Sequence, residues 1–329
     1  MVTTVDYHTA GEPFRIVTGG VDPIPGRTIL DKRRYAQEHL DDVRAFLVNE
    51  PRGHADMYGC FVTEPVADGS DLGVLFFHNA GFSTACGHGT IALATYALES
   101  GLLPAHAPET ELAVDAPSGT LPVRASVRDG DVEAVRFRNV PSFVHLRGVE
   151  VGTSRGRLSV DIAYGGAFYA SVSVADAGLD VAPADVPRLI ELGREIKRAV
   201  EAQHEVVHPE EPELRDVYGV TFFVDEGGSP LVQRNVTVFA DGEVDRSPCG
   251  SGTSARLALL HDEGRLGVDE KLVHRSIVDT EFEARVLDAV EVAGAAAVVT
   301  EVSGSAHLTG RHEFVLEPDD PLGTGFLLR

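Results

Sequence analysis

The sequence predicts an α+β fold of two similar halves, each built mainly of antiparallel sheet around a central helix. Three observations indicate this: one motif occurs twice, a long amphipathic helical pattern precedes it in each half, and most of the remaining chain alternates strand-like runs with turn residues. The 329 residues are enough for two domains of moderate size. We place the first at 1–135 with 305–329 and the second at 136–304.

The repeated motif is Cys-Gly-x-Gly-Thr. It occurs in STACGHGTIALATYALESGLL and RSPCGSGTSARLALLHDEGRL, which begin 163 residues apart. Aligning Cys86 with Cys249 gives seven identities in 18 positions without a gap. The helix predicted after Cys86 is apolar on nearly every side, which is typical of a helix inside a domain. We interpret the repeat as a duplicated fold, since chance explains the motif less well once its flanking elements agree.

Similar elements precede the two motifs. Apolar residues at helical spacing predict one helix over about 31–48 and another over about 187–204. The runs LGVLFF at 72–77 and NVTVFA at 235–240 predict strands. Elsewhere Asp129-Gly130 marks a hairpin between two alternating runs. Both halves therefore have the order helix, strands, motif, helix.

Composition excludes several functions. The net charge of -23 opposes binding to nucleic acid or to an anionic membrane, and any anionic substrate must be held locally. The N-terminus lacks a basic segment followed by an apolar one, and no apolar run approaches the ~20 residues of a membrane span. We therefore expect a cytoplasmic protein.

The three cysteines, Cys60, Cys86 and Cys249, are expected to be free thiols, because their number is odd and no secretion signal is apparent. Cys60 reads as a small buried hydrophobe. No phosphate-binding loop, pyridoxal-type lysine or clear metal-ligand spacing is present, so we expect neither a cofactor nor a metal.

The motif suits acid–base chemistry. The first N–H groups of a helix lack partners within it and the helix dipole is positive there, so this position binds anions and favours a thiolate. If the two halves face each other, a thiol lies on each side of one carboxylate substrate. One sulfur could remove the proton next to the carboxylate while the other returns a proton to the opposite face.

The chain resembles the proline racemase family, which includes hydroxyproline 2-epimerases and trans-3-hydroxy-L-proline dehydratases and is similar in fold to diaminopimelate epimerase. The resemblance extends over almost the whole length, in the segments HTAGEPFRIV (8–17), EPRGHADMYG (50–59), STACGHGTIAL (83–93), YGGAFYA (164–170), DRSPCGSGTSAR (245–256) and DDPLGTGFLL (319–328). It implies an active site in a cleft between the halves, no cofactor, and often a homodimer.

The resemblance also implies roles for individual residues. Cys86 and Cys249 correspond to the two acid–base thiols, and Asp245 to the residue that meets the imino nitrogen of the substrate. The residues that correspond to the carboxylate-binding backbone are Gly87, His88, Gly250 and Ser251. From the residues alone, Asp245 could instead be a turn residue, and His88 a metal ligand with His54 and Asp56.

The branch of the family stays open. Dehydratase members carry threonine where this chain has Cys249, which favours inversion of proline or a hydroxyproline, for example trans-4-hydroxy-L-proline to its cis-D epimer. YGGAFYA and DMYG look closer to dehydratases. Ala85 and Asp279 depart from the usual methionine and glycine. The alternatives are a trans-3-hydroxy-L-proline dehydratase with both thiols, a hydrolase with one nucleophilic cysteine, and a non-catalytic small-carboxylate binder.

Overall fold

Residues 1–328, which the computed structural model describes, form eighteen strands and six α-helices. In the first part of the chain these are β1 (Val2–Thr9), β2 (Glu12–Gly19), α1 (Ile29–His39), α2 (Asp41–Val48), β3 (Tyr58–Thr63), β4 (Leu72–His78), β5 (Gly81–Phe82), α3 (Gly87–Glu99), β6 (Glu109–Ala116), β7 (Gly119–Arg128) and β8 (Asp131–Arg138). The later elements are β9 (Ser142–Thr153), β10 (Gly156–Tyr164), β11 (Phe168–Ser173), α4 (Val174–Ala177), α5 (Val186–Gln203), β12 (Val217–Gly227), β13 (Leu231–Phe239), β14 (Glu243–Asp245), α6 (Gly250–Asp262), β15 (Lys271–Arg275), β16 (Glu281–Val292), β17 (Ala295–Gly304) and β18 (Ala306–Phe314). The predicted α+β class is confirmed.

One compact unit comprises Met1–Val135 and the residues from Ser305 onward. Its strands pair in the order β18, β1, β2, β3, β4, β6, β7. The pairs β2–β3 and β4–β6 are parallel and the others are antiparallel. Helix α3 contacts β1, β2, β3, β7 and β18, and its residues 87–95 are all buried. It is therefore the central helix of this unit.

The other unit comprises Arg136–Gly304. Its strands pair in a closed ring, in the order β9, β10, β11, β12, β13, β15, β16, β17 and back to β9. Here β11–β12 and β13–β15 are the parallel pairs. Helix α6 contacts β9, β10, β11, β16 and β17, and its residues 250–260 are all buried. A helix with no solvent-exposed face is expected where strands surround it.

The two units have the same internal order. In each, a parallel pair connected through helices (β2–β3, β11–β12) is followed by an antiparallel hairpin (β3–β4, β12–β13). The central helix comes next (α3, α6), and then a second parallel pair (β4–β6, β13–β15). The predicted duplication of the fold is confirmed.

Local signals placed several elements correctly. The hairpin between β7 and β8 turns at Asp129 and Gly130, whose φ values of 55° and 95° are those that a two-residue hairpin turn requires. The helix predicted over 187–204 is α5, Val186–Gln203. The single helix predicted over 31–48 was wrong. Leu40 has φ -121° and ψ 8° and separates α1 from α2, which begins with acidic Asp41 and Asp42, residues that favour a new helix start.

The departure at Asp279 has a conformational explanation. Its φ is 63°, in the left-handed region that glycine occupies at little cost and that aspartate tolerates better than most residues. Its carboxylate pairs with Arg234 at 2.6 Å.

Among residues 1–328, no helix is both long enough and apolar enough to cross a membrane.

Candidate active site

Cys86 lies immediately before α3 and caps it. Its backbone is extended, with φ -156° and ψ 101°, and its Sγ accepts a hydrogen bond from the Gly89 amide at 3.2 Å. The side chain is buried. A Cβ atom at position 89 would lie 2.7 Å from this sulfur and 2.4 Å from the Phe14 ring, so the second glycine of the motif is required for this close packing.

His88 is packed beside the Cys86 sulfur. Both of its ring nitrogens lie 3.5 Å from Sγ, and the edges of Phe14 and Tyr58 hold the imidazole at centroid distances of 5.5 and 4.9 Å. Thr9 donates its hydroxyl to the His88 carbonyl at 2.9 Å. Burial lowers the pKa of His88 to about 3, because a charged imidazolium would lose its hydration. At neutral pH the group beside Cys86 is therefore a neutral imidazole.

Cys249 precedes α6 in a different conformation. Its φ is 62° and its ψ 100°, which is unusual for a residue with a side chain. It is buried in an apolar cluster with Tyr169, Ala255 and Leu259. Backbone strain of this kind is found at functional sites, where surrounding contacts maintain it. The two copies of the motif therefore present their sulfurs from different backbone geometries.

The predicted preference of a helix-terminal cysteine for the thiolate was wrong for Cys249. Burial and the neighbouring Asp245 carboxylate raise the pKa of its thiol to about 12. The Gly252 amide and the hydroxyls of Tyr169 and Thr237 lower the pKa but do not offset these two effects. Desolvation of a sulfur anion thus outweighs the helix terminus, and Cys249 is a thiol at neutral pH.

Cys60, as predicted, is a fully buried residue of β3.

Asp245 ends β14 and is almost completely buried. Its Oδ1 accepts the Ser247 amide at 2.8 Å, and the Ser247 hydroxyl in turn accepts the Cys249 amide at 3.1 Å. Burial raises the pKa of Asp245 to about 6, despite its hydrogen bonds from Ser247. An ionised carboxylate in so dry a position is suited to meeting a cationic nitrogen.

Sequence reasoning missed Tyr169. This β11 residue is buried, and its hydroxyl lies 2.6 Å from Ser251 Oγ and 3.8 Å from Cys249 Sγ. Gly165, four residues before Tyr169, also lies close to Ser251, since a Cβ atom there would be only 2.2 Å from the Ser251 carbonyl oxygen. Glycine at that position allows the turn after β10 to pack against the start of α6. The signal was present in the YGGAFYA segment, but nothing local connected it to Ser251, 82 residues later.

The structure thus groups the predicted residues in two sets, each at the start of a central helix. Cys86, Gly87 and His88 form one set within the first unit. The second unit holds Asp245, Cys249, Gly250 and Ser251 together. Within residues 1–328, no three His, Cys, Asp or Glu side chains are grouped so that they could hold a metal ion.

A buried cysteine directly before the central helix of each unit is the arrangement that the resemblance to amino-acid racemases and epimerases predicts. A model of the family described as proline racemase matches residues 4–327, and the chain belongs to this family.

Named relatives are similar over nearly the full length. The chain is 47% identical over 326 residues to a trans-3-hydroxy-L-proline dehydratase of Bacillus cereus, covering 99% of this chain and 98% of that protein. It is also 47% identical over 329 residues to a 3-hydroxyproline 2-epimerase of Burkholderia multivorans, covering 100% and 98%. A crystal structure of a hydroxyproline epimerase from Agrobacterium vitis, with bound trans-4-hydroxy-L-proline, has a TM-score of 0.93 and 34% identity, covering 99% and 95%.

Proposed function

We propose that the chain is a cofactor-independent racemase or epimerase that inverts the α-carbon of proline or a hydroxyproline by two-base proton transfer between Cys86 and Cys249. The observation that carries the proposal is that each unit has a buried cysteine directly before the N-terminus of its central helix. Inversion needs one group to remove a proton and another to deliver one to the opposite face, and a repeated thiol supplies both.

The proposal includes a protonation state for each cysteine before the first proton transfer. Cys249 enters the cycle as a thiol, because its pKa is raised to about 12. Cys86 is then the base for the substrate isomer whose α-proton faces it, and Cys249 delivers the proton to the opposite face. The roles reverse for the other isomer. Neutral His88 lies against Cys86 and can exchange hydrogen bonds with its sulfur in either state.

The helix starts would hold the substrate. The amides of Gly87, His88, Gly250 and Ser251 are the first of their helices, so they would bind the carboxylate and the charge that develops on it during proton removal. Asp245 would accept a hydrogen bond from the imino nitrogen. The proposal requires both cysteines to reach one bound substrate.

The first test follows α-proton exchange by NMR in deuterated water. L-Proline, trans-4-hydroxy-L-proline and trans-3-hydroxy-L-proline are incubated separately with the protein. We expect deuterium at the α-carbon together with formation of the epimer of at least one of them. If none of the three exchanges its α-proton, the proposal is wrong.

The second test separates the two bases. We expect Cys86→Ala and Cys249→Ala each to abolish inversion, because each thiol serves one face of the substrate. Cys60→Ala is the matched control, since Cys60 is buried in β3 and belongs to neither group of site residues. Inversion at wild-type rate by either single variant would contradict two-base chemistry.

The second candidate is dehydration of trans-3-hydroxy-L-proline, favoured by the identity to the Bacillus cereus dehydratase. Cys86 would take the α-proton, and the C3–O bond would break as the Cys249 thiol gives its proton to the leaving hydroxyl, which departs as water. The enamine formed would tautomerise to a cyclic imine. Appearance of the imine from trans-3-hydroxy-L-proline, with no epimer from any substrate, would decide for this reaction. Binding of all three compounds without exchange or imine formation would indicate a carboxylate-binding protein.

A further inference from the structure

We propose that the Tyr169 hydroxyl is a positioning group that stabilises the thiolate form of Cys249 and, through the same hydrogen-bond exchange, turns the Ser251 hydroxyl toward or away from the substrate. The thiolate part depends only on geometry within one unit. The substrate part rests on the proposed function.

Packing fixes the position of the Tyr169 ring. The residue is 1% exposed, and its ring meets Tyr218 edge-on at a centroid distance of 5.9 Å. Tyr218 stacks in turn on Phe239 at 5.7 Å. The hydroxyl therefore has little freedom to leave its two polar neighbours, Ser251 Oγ at 2.6 Å and Cys249 Sγ at 3.8 Å.

One O–H proton has to serve these two neighbours. When Cys249 is a thiol, its S–H donates either to the Tyr169 oxygen or to the Asp245 carboxylate, and in both cases the Tyr169 hydroxyl is left to donate to Ser251. When Cys249 is a thiolate, Tyr169 donates to the sulfur, and the Ser251 hydroxyl donates to Tyr169. Tyr169 keeps its own proton in both states, because burial and the proximity of Cys249 hold its pKa well above the ordinary value. A hydrogen bond to a charged sulfur stabilises the thiolate more than the corresponding bond stabilises the thiol.

The exchange gives Ser251 two states. In the thiol form its O–H is directed away from Tyr169 and is available to a carboxylate at the start of α6. In the thiolate form the same O–H is used by Tyr169. A substrate carboxylate held by Ser251 would therefore favour protonated Cys249, which is the form that delivers the proton.

The test measures the reactivity of Cys249 without turnover. The full chain is treated with a small thiol reagent, methyl methanethiosulfonate or iodoacetamide, between pH 7 and 9, and modification of each cysteine-containing peptide is followed by mass spectrometry. We expect Tyr169→Phe to slow modification of Cys249, because less of the thiol is ionised. Each tenfold loss of thiolate should slow the reaction only roughly three- to fourfold, since a thiolate of higher pKa is also a stronger nucleophile. The rate at Cys86 should not change.

Tyr164→Phe is the matched control. Tyr164 is a buried tyrosine of β10 in the same unit, and among residues 1–328 its hydroxyl has no hydrogen-bond partner. The same substitution there should leave the Cys249 rate unchanged. Ser251→Ala should have the opposite effect to Tyr169→Phe and speed modification of Cys249, since Tyr169 is then free to donate to the sulfur.

Two results would overturn the proposal: Tyr169→Phe no slower than Tyr164→Phe, or Ser251→Ala as slow as Tyr169→Phe. A second measurement is the pH profile of α-proton exchange, in which the limb set by Cys249 should move to higher pH in Tyr169→Phe, and an unmoved limb would contradict the proposal. Failure of the proposed function would appear as absent exchange in the wild-type chain, with the modification rates still ordered as described.

Discussion

Replacing Asp245 by asparagine should stabilise the protein at neutral pH while it impairs turnover. The Asp245 carboxyl is almost completely buried, and its pKa is raised from 3.8 to about 6. Asparagine is nearly the same size and keeps the oxygen that accepts the Ser247 amide at 2.8 Å. The substitution removes the cost of a buried negative charge. It also replaces one acceptor oxygen by an NH2 group, although the Ser247 hydroxyl and the Cys249 thiol donate to this carboxyl, and that second loss is the same at every pH.

The raised pKa sets the size and the sign of the effect. Between pH 3.8 and about 6 the folded state binds more protons at Asp245 than the unfolded state does, so the contribution of this group to stability falls as the pH rises through that window. Since one pKa unit corresponds to about 1.4 kcal/mol, the full loss is about 3 kcal/mol. Asparagine has no such loss. The stability of the variant relative to the wild type should therefore rise by about 3 kcal/mol between pH 4 and pH 7.

Urea unfolding of wild type and Asp245→Asn at intervals from pH 4 to pH 8 measures this difference. Cys249, whose pKa depends on the Asp245 charge, does not ionise in the folded wild type in this pH range, and the remaining titrating groups are common to both proteins. Asp131→Asn, at the exposed first residue of β8, is the control for the substitution itself and should change the free energy of unfolding by less than about 0.5 kcal/mol. The reasoning would be refuted if Asp245→Asn were no more stable than wild type at pH 8, or if its gain were the same at pH 4 and pH 8.

The same variant tests why the charge is present. If Asp245 meets the imino nitrogen, the stabilised variant should lose most of its kcat/KM for the substrate found by the exchange assay. Removing the carboxylate also removes the charge that helps to raise the pKa of Cys249, so the pH limb set by that thiol should move down. A gain in stability with a loss of activity is expected where a site keeps a buried charge for function.

Three further predictions concern the scaffold. His88 and His274 are buried and neutral, because burial lowers their pKa values to about 3. Below pH 6.5 the unfolded state therefore binds more protons than the folded state, and each histidine should cost about 2 kcal/mol of stability by pH 5. This loss is measurable as a falling urea midpoint of the wild type. Gly165→Ala should destabilise the protein by about 3 kcal/mol or more, because the added Cβ would meet backbone atoms of α6. Gly152→Ala is the control and should be tolerated, because nothing lies within 4 Å of its added Cβ. Thermal unfolding compares the two variants. Asp279→Gly should change the free energy of unfolding by less than about 1 kcal/mol. Glycine relieves the left-handed backbone conformation, but the ion pair with Arg234 is lost, and the two effects oppose each other. A shift of the melting temperature by more than several degrees would contradict this.

Sequence reasoning succeeded where the determinants are local or repeated. The helices after Cys86 and Cys249 begin at the glycines that follow them, and the apolar pattern of the first correctly indicated a helix with no exposed face. The Asp129-Gly130 turn followed from the φ values that such a pair can adopt. Duplication added information that neither half carries alone, since agreement between two distant segments fixed the order of the elements.

It failed where the outcome depends on residues distant in sequence. The protonation state of Cys249 was predicted from its place at a helix start, but an apolar cluster that includes Tyr169 and Ala163, both distant in sequence, buries the side chain, and desolvation then outweighs the helix dipole. Tyr169 is close to Ser251 only because β11 packs beside the start of α6. The break at Leu40 was missed because apolar spacing continues across it while the backbone does not.

Under the proposed mechanism, the differences between the two motifs would let a duplicated site act on an asymmetric substrate. Cys86 caps its helix through its own sulfur and has a neutral imidazole beside it, whereas Cys249 has positive φ and a tyrosine–serine hydroxyl pair. Identical thiols in identical surroundings would have equal affinity for the single proton that the cycle requires, and the resting enzyme would be divided between two forms. Because both cysteines are buried and Cys249 in addition has the Asp245 carboxylate as its neighbour, this carboxylate would favour the proton on Cys249, and the resting form under the proposed mechanism would be ready for one substrate isomer. The two substrates of an epimerase are diastereomers, because a second stereocentre keeps its configuration, and for such an enzyme this bias would be useful. It would arise where the repeated motif keeps its cysteines while their neighbours diverge.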